Sequence, residues 1–155
     1  ASMFYAADRY ASYRRHWERD YLAGRLIVAG RYATSNAVHQ MSKLGKEDWD
    51  EYLSWTDDFE HVKLGLPRPD LVLYLDMPQA IASRLLLKRY GGDERKKDIH
   101  ERDASYLAAC RKAAAYAARR QGWKTVAGAS GGEPKPPEAL FSELLAYVKP
   151  LLDLS

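Results

Sequence analysis

The sequence predicts an α/β fold in which a parallel sheet is flanked by helices, and three observations carry that expectation. Short runs at Leu26–Ala29, Leu71–Leu75 and Trp123–Ala127 read as strands, and the first, apolar throughout, is consistent with a strand buried on both faces. Longer segments with helical patterning lie between them, and strands alternating with helices build parallel sheets. Helix-stopping glycines and a Pro-rich loop fall at the junctions, at Gly24, at Gly122 and at Gly65-Leu-Pro-Arg-Pro69.

Taken in order, Ser2 to about Leu22 reads as a helix, rich in Ala, Tyr and Arg, with Ser2 as its cap and Gly24 as its stop. The strand Leu26–Ala29 follows. A second helix starts at Thr34 or Ser35, either being a good N-cap, and runs towards Met41. Lys46 to Val62 is again helical, with Trp49, Leu53, Trp55 and Phe59 on its apolar side. The strand Leu71–Leu75 ends at Asp76, which with Pro78 opens a helix reaching Arg89, Asp as N-cap and Pro in the first turn. Tyr90 to Lys97 is a charged loop. Asp98 to about Arg120 is a long Ala-rich helix, followed by the third strand, an irregular loop Ser130–Pro137, and a last helix from Glu138 to about Leu152. No repeat or linker divides residues 1–155, so one domain is expected.

Composition narrows the function classes. Of 155 residues, 46% are hydrophobic and 29% charged, as in an ordinary globular domain. No apolar run approaches the roughly 20 residues that span a bilayer, and residues 1–8 resemble no signal peptide. The single cysteine, Cys110, lies inside a helical pattern and has no intrachain partner, which points to a core residue in a reducing, cytoplasmic setting. The net charge of +3 is too mild to indicate nucleic acid by itself.

Certain residues are grouped as chemistry would require. Tyr5 and Arg9 are four apart, so they share a helix face, and an aromatic plane beside a guanidinium suits a flat carbonyl-bearing base. The bland alternative is a core aromatic beside a surface arginine. Arg31 follows the C-terminal end of the first strand, where ligands sit in open α/β sheets. Asn36 carries an amide that donates and accepts together, or else it makes a local bond at a helix start. Between Arg84 and Lys97 stand Arg84, Lys88, Arg89, Arg95, Lys96 and Lys97 around Gly91-Gly92. Such a run is a solvated face, or it is a closing lid that delivers cations to a transferring phosphoryl group.

Three linked motifs, Phe4-Tyr-Ala-Ala-Asp-Arg9, Arg31-Tyr-Ala-Thr-Ser-Asn36 and Gly65-Leu-Pro-Arg-Pro-Asp-Leu-Val-Leu-Tyr-Leu-Asp-Met-Pro78, resemble thymidylate kinases in order and spacing. The resemblance covers about Met3 to Val148. It implies a P-loop kinase fold and transfer of the γ-phosphoryl of ATP to dTMP, giving dTDP, with Mg²⁺. It assigns Tyr5, Arg9 and Asn36 to thymine and Arg31 to the acceptor phosphate. It places Ser35, His39, Gln40, His100 and Glu101 around the nucleotide and a lid at about 88–98, with Arg31, Arg84, Arg89 and Arg95 as the catalytic candidates. A cytoplasmic homodimer handling small nucleotides is implied, with no nucleic acid and no membrane.

Two departures from the pattern stand out. G-x-x-x-x-G-K-[ST], whose amides and lysine cradle donor phosphates, occurs nowhere in the chain. The fold expected is therefore an incomplete P-loop kinase fold lacking the N-terminal P-loop strand. The family's Asp before the strand-end arginine is here Gly30, so no metal ligand is expected at that position. Two further readings follow, a catalytically inactive nucleotide-binding or dimerisation module and a related nucleotide kinase. A third, nucleic-acid binding through the basic lid, predicts steep salt dependence.

Overall fold

Residues 2–22 form one continuous helical rod in the computed structural model, which describes residues 1–89, 91 and 104–152. The rod consists of α1 (Ser2–Ser12), a π-helical turn (Tyr13–Trp17) and α2 (Glu18–Leu22). Gly24 stops it at φ 74°, a conformation that strains any residue with a Cβ. The Arg25 and Gly24 amides then return to the carbonyls of Asp20 and Tyr21, the paired bonds of a Schellman cap. At the other end Ser2 is not the cap. Ala1 precedes the first turn without a side-chain cap bond, and the Ser2 hydroxyl instead meets Tyr52 Oη at 2.8 Å.

The described chain divides into two compact units, Ala1–Pro69 and Asp70–Ser155. The first is helical throughout. After the rod come α3 (Thr34–His39) and a 3₁₀ turn (Met41–Lys43). A second 3₁₀ turn (Lys46–Asp48) leads into α4 (Trp49–Asp57), which a π-helical turn (Asp58–Lys63) extends. Ala33 precedes α3 with no side-chain cap, so neither Thr34 nor Ser35 serves as one. The core gathers Ala6, Tyr13, Ala37, Met41, Trp49, Leu53 and Leu66. Trp55 and Phe59 are not part of that core; they stack on each other, centroids 5.5 Å apart, with Trp55 exposed.

The expected strand Leu26–Ala29 does not form. These residues have no sheet pairing, and Leu26 and Val28 are 61% and 83% exposed. A strand is stabilised by its neighbours' hydrogen bonds and side chains more than by its own composition. This segment has no paired strand among the described residues.

The second unit holds the sheet. β1 (Leu73–Asp76) pairs in parallel with β2 (Lys124–Ala127), from Leu73 opposite Lys124 to Asp76 opposite Ala127. α5 (Gln79–Arg89) follows β1, α6 (Ala104–Gln121) precedes β2, and α7 (Pro137–Leu152) closes the unit. This is the expected α/β class, with fewer strands than a full sheet of that type. α6 buries Cys110, Ala113, Ala114, Ala117 and Ala118 at helical spacing, joined in the core by Ile81, Trp123 and Val126. Asp76 does not cap α5, which begins three residues later, because its carboxylate is taken by Arg111. The loop Ser130–Pro137 contains a small hairpin, β3 (Ala129–Ser130) with β4 (Glu133–Pro134). Gly131 and Gly132 turn it at φ 58° and 82°.

Candidate functional site

The helix carrying α4 buries one face, and that face ends in a charge. Trp49, Leu53, Thr56 and Glu60 are spaced four, three and four residues apart, and all are buried. Thr56 bonds back to the Tyr52 and Leu53 carbonyls. Glu60, only 1% exposed, has no such local outlet and is satisfied by two other helices. Arg9 of α1 donates to it through Nε (2.7 Å to Oε2) and Nη2 (2.6 Å to Oε1), a side-on fork. Asn36 of α3 donates through Nδ2 to the same Oε1 at 2.8 Å.

Three helices of the first unit thus converge on one carboxylate. Two of the three residues, Arg9 and Asn36, are among those the sequence singled out for base recognition. Glu60 is not. It lies in the acid-rich run Asp57-Asp58-Phe59-Glu60, yet its spacing from Trp49, Leu53 and Thr56 places it on the buried stripe.

Aromatic hydroxyls line the neighbourhood. Tyr32 donates to the Pro67 carbonyl at 2.9 Å, and burial together with the Glu60 charge pushes its pKa up to about 12. Burial also raises the Tyr52 pKa, against the opposing effect of its bond to Ser2. The loop Gly65–Pro69 is held by these contacts and by a fork from Arg68 to Asp57, which lowers the Asp57 pKa. Gly65 permits the turn at φ 65°.

The remaining candidates are placed as follows. Tyr5 is exposed on α1, one turn before Arg9. Arg31 is exposed, donates from Nε to Ser35 Oγ at 3.2 Å, and holds a φ of 155°, a region that non-glycine residues rarely occupy. His39 ends α3, and Gln40 accepts from Lys43 Nζ at 3.2 Å. Arg84, in the second unit, donates from Nη2 to Glu133 at 2.6 Å, so its guanidinium is already engaged. Arg89 ends α5 and is exposed. Arg95, His100, Glu101 and most of the expected lid lie outside the described residues. Among the described residues no cluster of three His, Cys, Asp or Glu side chains has a metal-holding arrangement. Gly30 offers no ligand either. No helix described is long and apolar enough to cross a membrane.

The thymidylate kinase family model matches residues 1–133, so this chain belongs to the thymidylate kinase family. Thymidylate kinases of two Mycobacterium tuberculosis strains, CDC 1551 / Oshkosh and ATCC 25618 / H37Rv, are each 31% identical to it over 100 residues. That alignment covers 63% of this chain and 46% of each relative, so the match spans about half the length of those enzymes.

Proposed function

We propose that this chain carries the acceptor-nucleotide half of a thymidylate kinase and binds dTMP, with the base contacts in its first unit. The observation that carries the reading is the Glu60 network, which holds Arg9 and Asn36 side by side on adjoining helices. Tyr5 stacks on the thymine, Arg9 and Asn36 read its edge, and Arg31 takes the phosphate with Ser35 beside it. His39, Gln40, His100 and Glu101 complete the surroundings of the sugar and phosphate. In the whole enzyme the γ-phosphoryl of ATP passes in line to dTMP, giving dTDP, with lid cations from Arg84, Arg89 and Arg95 stabilising the charge on the transferring group. The exposed pair between Arg84 and Glu133 is worth about 0–1 kcal/mol, so Arg84 can exchange it for a phosphoryl contact at little cost.

The family's ATP and Mg²⁺ are supplied here by no described residue. The chain has no P-loop motif, and a glycine stands where a carboxylate would help hold the ion. Those same features favour a second reading, a nucleotide-binding or dimerisation module without catalysis of its own. Family membership further supports a cytoplasmic homodimer for the whole enzyme.

Isothermal calorimetry separates the readings. The chain titrated with dTMP is expected to bind it, and Arg9→Ala or Asn36→Ala to weaken binding at least about tenfold by removing a base contact. Absence of dTMP binding by the folded chain would sink the acceptor-site reading. Binding of dTMP with no binding of ATP fits the non-catalytic module.

A further inference from the structure

Glu60 determines which atoms of Arg9 and Asn36 remain available. A carboxylate offers only acceptors, so the Asn36 atom turned toward it must be Nδ2, and the amide cannot flip without losing that bond. Oδ1 is left without a partner among the described residues. Every fully buried side-chain polar atom described has a partner, so Oδ1 is the part of this 3%-exposed residue that reaches the surface. The same carboxylate takes Nε–H and one N–H of Nη2 of Arg9, and leaves both N–H groups of Nη1 and the second of Nη2 as donors turned away from it. Because Arg9 Nη2 and Asn36 Nδ2 share Oε1 at 2.6 and 2.8 Å, the two side chains are immediate neighbours.

We propose that Glu60 is a positioning residue that fixes the donor–acceptor order of the base site, presenting Arg9 Nη1 as donor beside Asn36 Oδ1 as acceptor. That order complements the O4 acceptor and N3–H donor of a 4-keto pyrimidine. Cytosine presents the reverse, an amino donor at N4 and an acceptor at N3, so each of its groups meets its like. A mismatch of this kind leaves polar groups unpaired at a desolvated site, which discriminates more strongly than a missing contact. The inference rests on the reading of Arg9 and Asn36 as base contacts.

The test compares dTMP and dCMP binding to the unaltered chain, Glu60→Gln and Glu60→Asp. Glutamine has nearly the same shape but can donate to Asn36 Oδ1, which lets the amide turn its Nδ2 outward. E60Q should weaken dTMP but not dCMP, narrowing the preference about ten- to hundred-fold. Aspartate remains an acceptor and should restore most of that preference. Equal weakening of both nucleotides by a folded E60Q would mark Glu60 as mere support and overturn the proposal, as would an unchanged ratio. An unaltered chain that binds dTMP and dCMP alike refutes the base reading itself and this inference with it.

If circular dichroism shows E60Q unfolded, the unaltered chain answers by NMR with ¹⁵N-labelled asparagine. The Asn36 side-chain NH₂ proton directed at Glu60 should stay protected from exchange in the dTMP complex. Exchange of that proton at the bulk rate, or a large shift of both protons on adding dTMP, would show the amide facing the base and overturn the proposal.

Discussion

Two arginine–carboxylate forks in this chain have nearly the same geometry and opposite settings. Arg9 reaches Glu60 through Nε and Nη2 at 2.7 and 2.6 Å, and Arg111 reaches Asp76 through the same atoms at 2.6 and 2.8 Å. In the first pair the side chains are 16% and 1% exposed; in the second they are 44% and 28% exposed. Geometry therefore does not set the energetic weight of a fork. Burial does, because a charge removed from water depends on its partner, whereas an exposed one is rescued by solvent. The buried fork also takes a third donor, Asn36, and so becomes a joint between three helices.

The largest expected effect follows from breaking the buried joint. Arg9→Ala should lower the unfolding free energy by about 3–5 kcal/mol, since it leaves the Glu60 charge buried without its cationic partner. Replacing both members with methionine should cost distinctly less than Arg9→Ala alone, because no orphan charge remains. Urea unfolding of the two variants checks this. A double variant no better than the single would mean that the network's hydrogen bonds, and not the stranded charge, carry the weight.

Tyr32 sharpens the comparison with a smaller effect, because its hydroxyl titrates under the field of the buried charge. The pKa of this phenol is raised from 10.0 to about 12 in the fold. Its contribution to stability is accordingly complete below pH 10.0 and is lost as pH rises through about 12. Tyr32→Phe should be less stable than the unaltered chain at neutral pH, and the gap should close in that alkaline window. Absorbance of tyrosinate, followed beside circular dichroism, reads both events. A Tyr32 that ionises at its ordinary value would remove the support for a low-dielectric site around Glu60.

Much of this was legible in the residues. The helices, their glycine stops at Gly24 and Gly122, and the two strands that pair all follow from period and punctuation, which are local properties. Arg9 and Asn36 were found because they sit in motifs. Glu60 was missed because an acidic residue in an acidic run carries no local sign of burial; only its register with Trp49, Leu53 and Thr56 gives it away. Leu26–Ala29 fails for the converse reason. Its composition is that of a strand, but strand formation depends on partners, which no local pattern supplies. Asp76 likewise has the right type and place for an N-cap, and loses that role to a long-range arginine.

The smallest effect belongs to the exposed fork, and it is where the comparison can be broken most cleanly. Arg111→Ala should cost about 0–1 kcal/mol at neutral pH, since both members remain hydrated when separated. Its pH dependence has a definite sign. The hydrogen bonds from Arg111 hold the Asp76 carboxyl below its ordinary value of 3.8, opposed by partial burial. The fork's contribution is thus full above 3.8 and is lost as pH falls through the lower folded value. Unfolding curves of R111A and the unaltered chain should therefore differ slightly at neutral pH and converge in acid. A loss as large as that from Arg9→Ala would show that Arg111 and Asp76 are coupled to more than each other. Asp76 ends β1, and its backbone carbonyl already holds the Gly128 amide at 2.8 Å just beyond β2, so the end of the parallel pair is the place where such coupling would act.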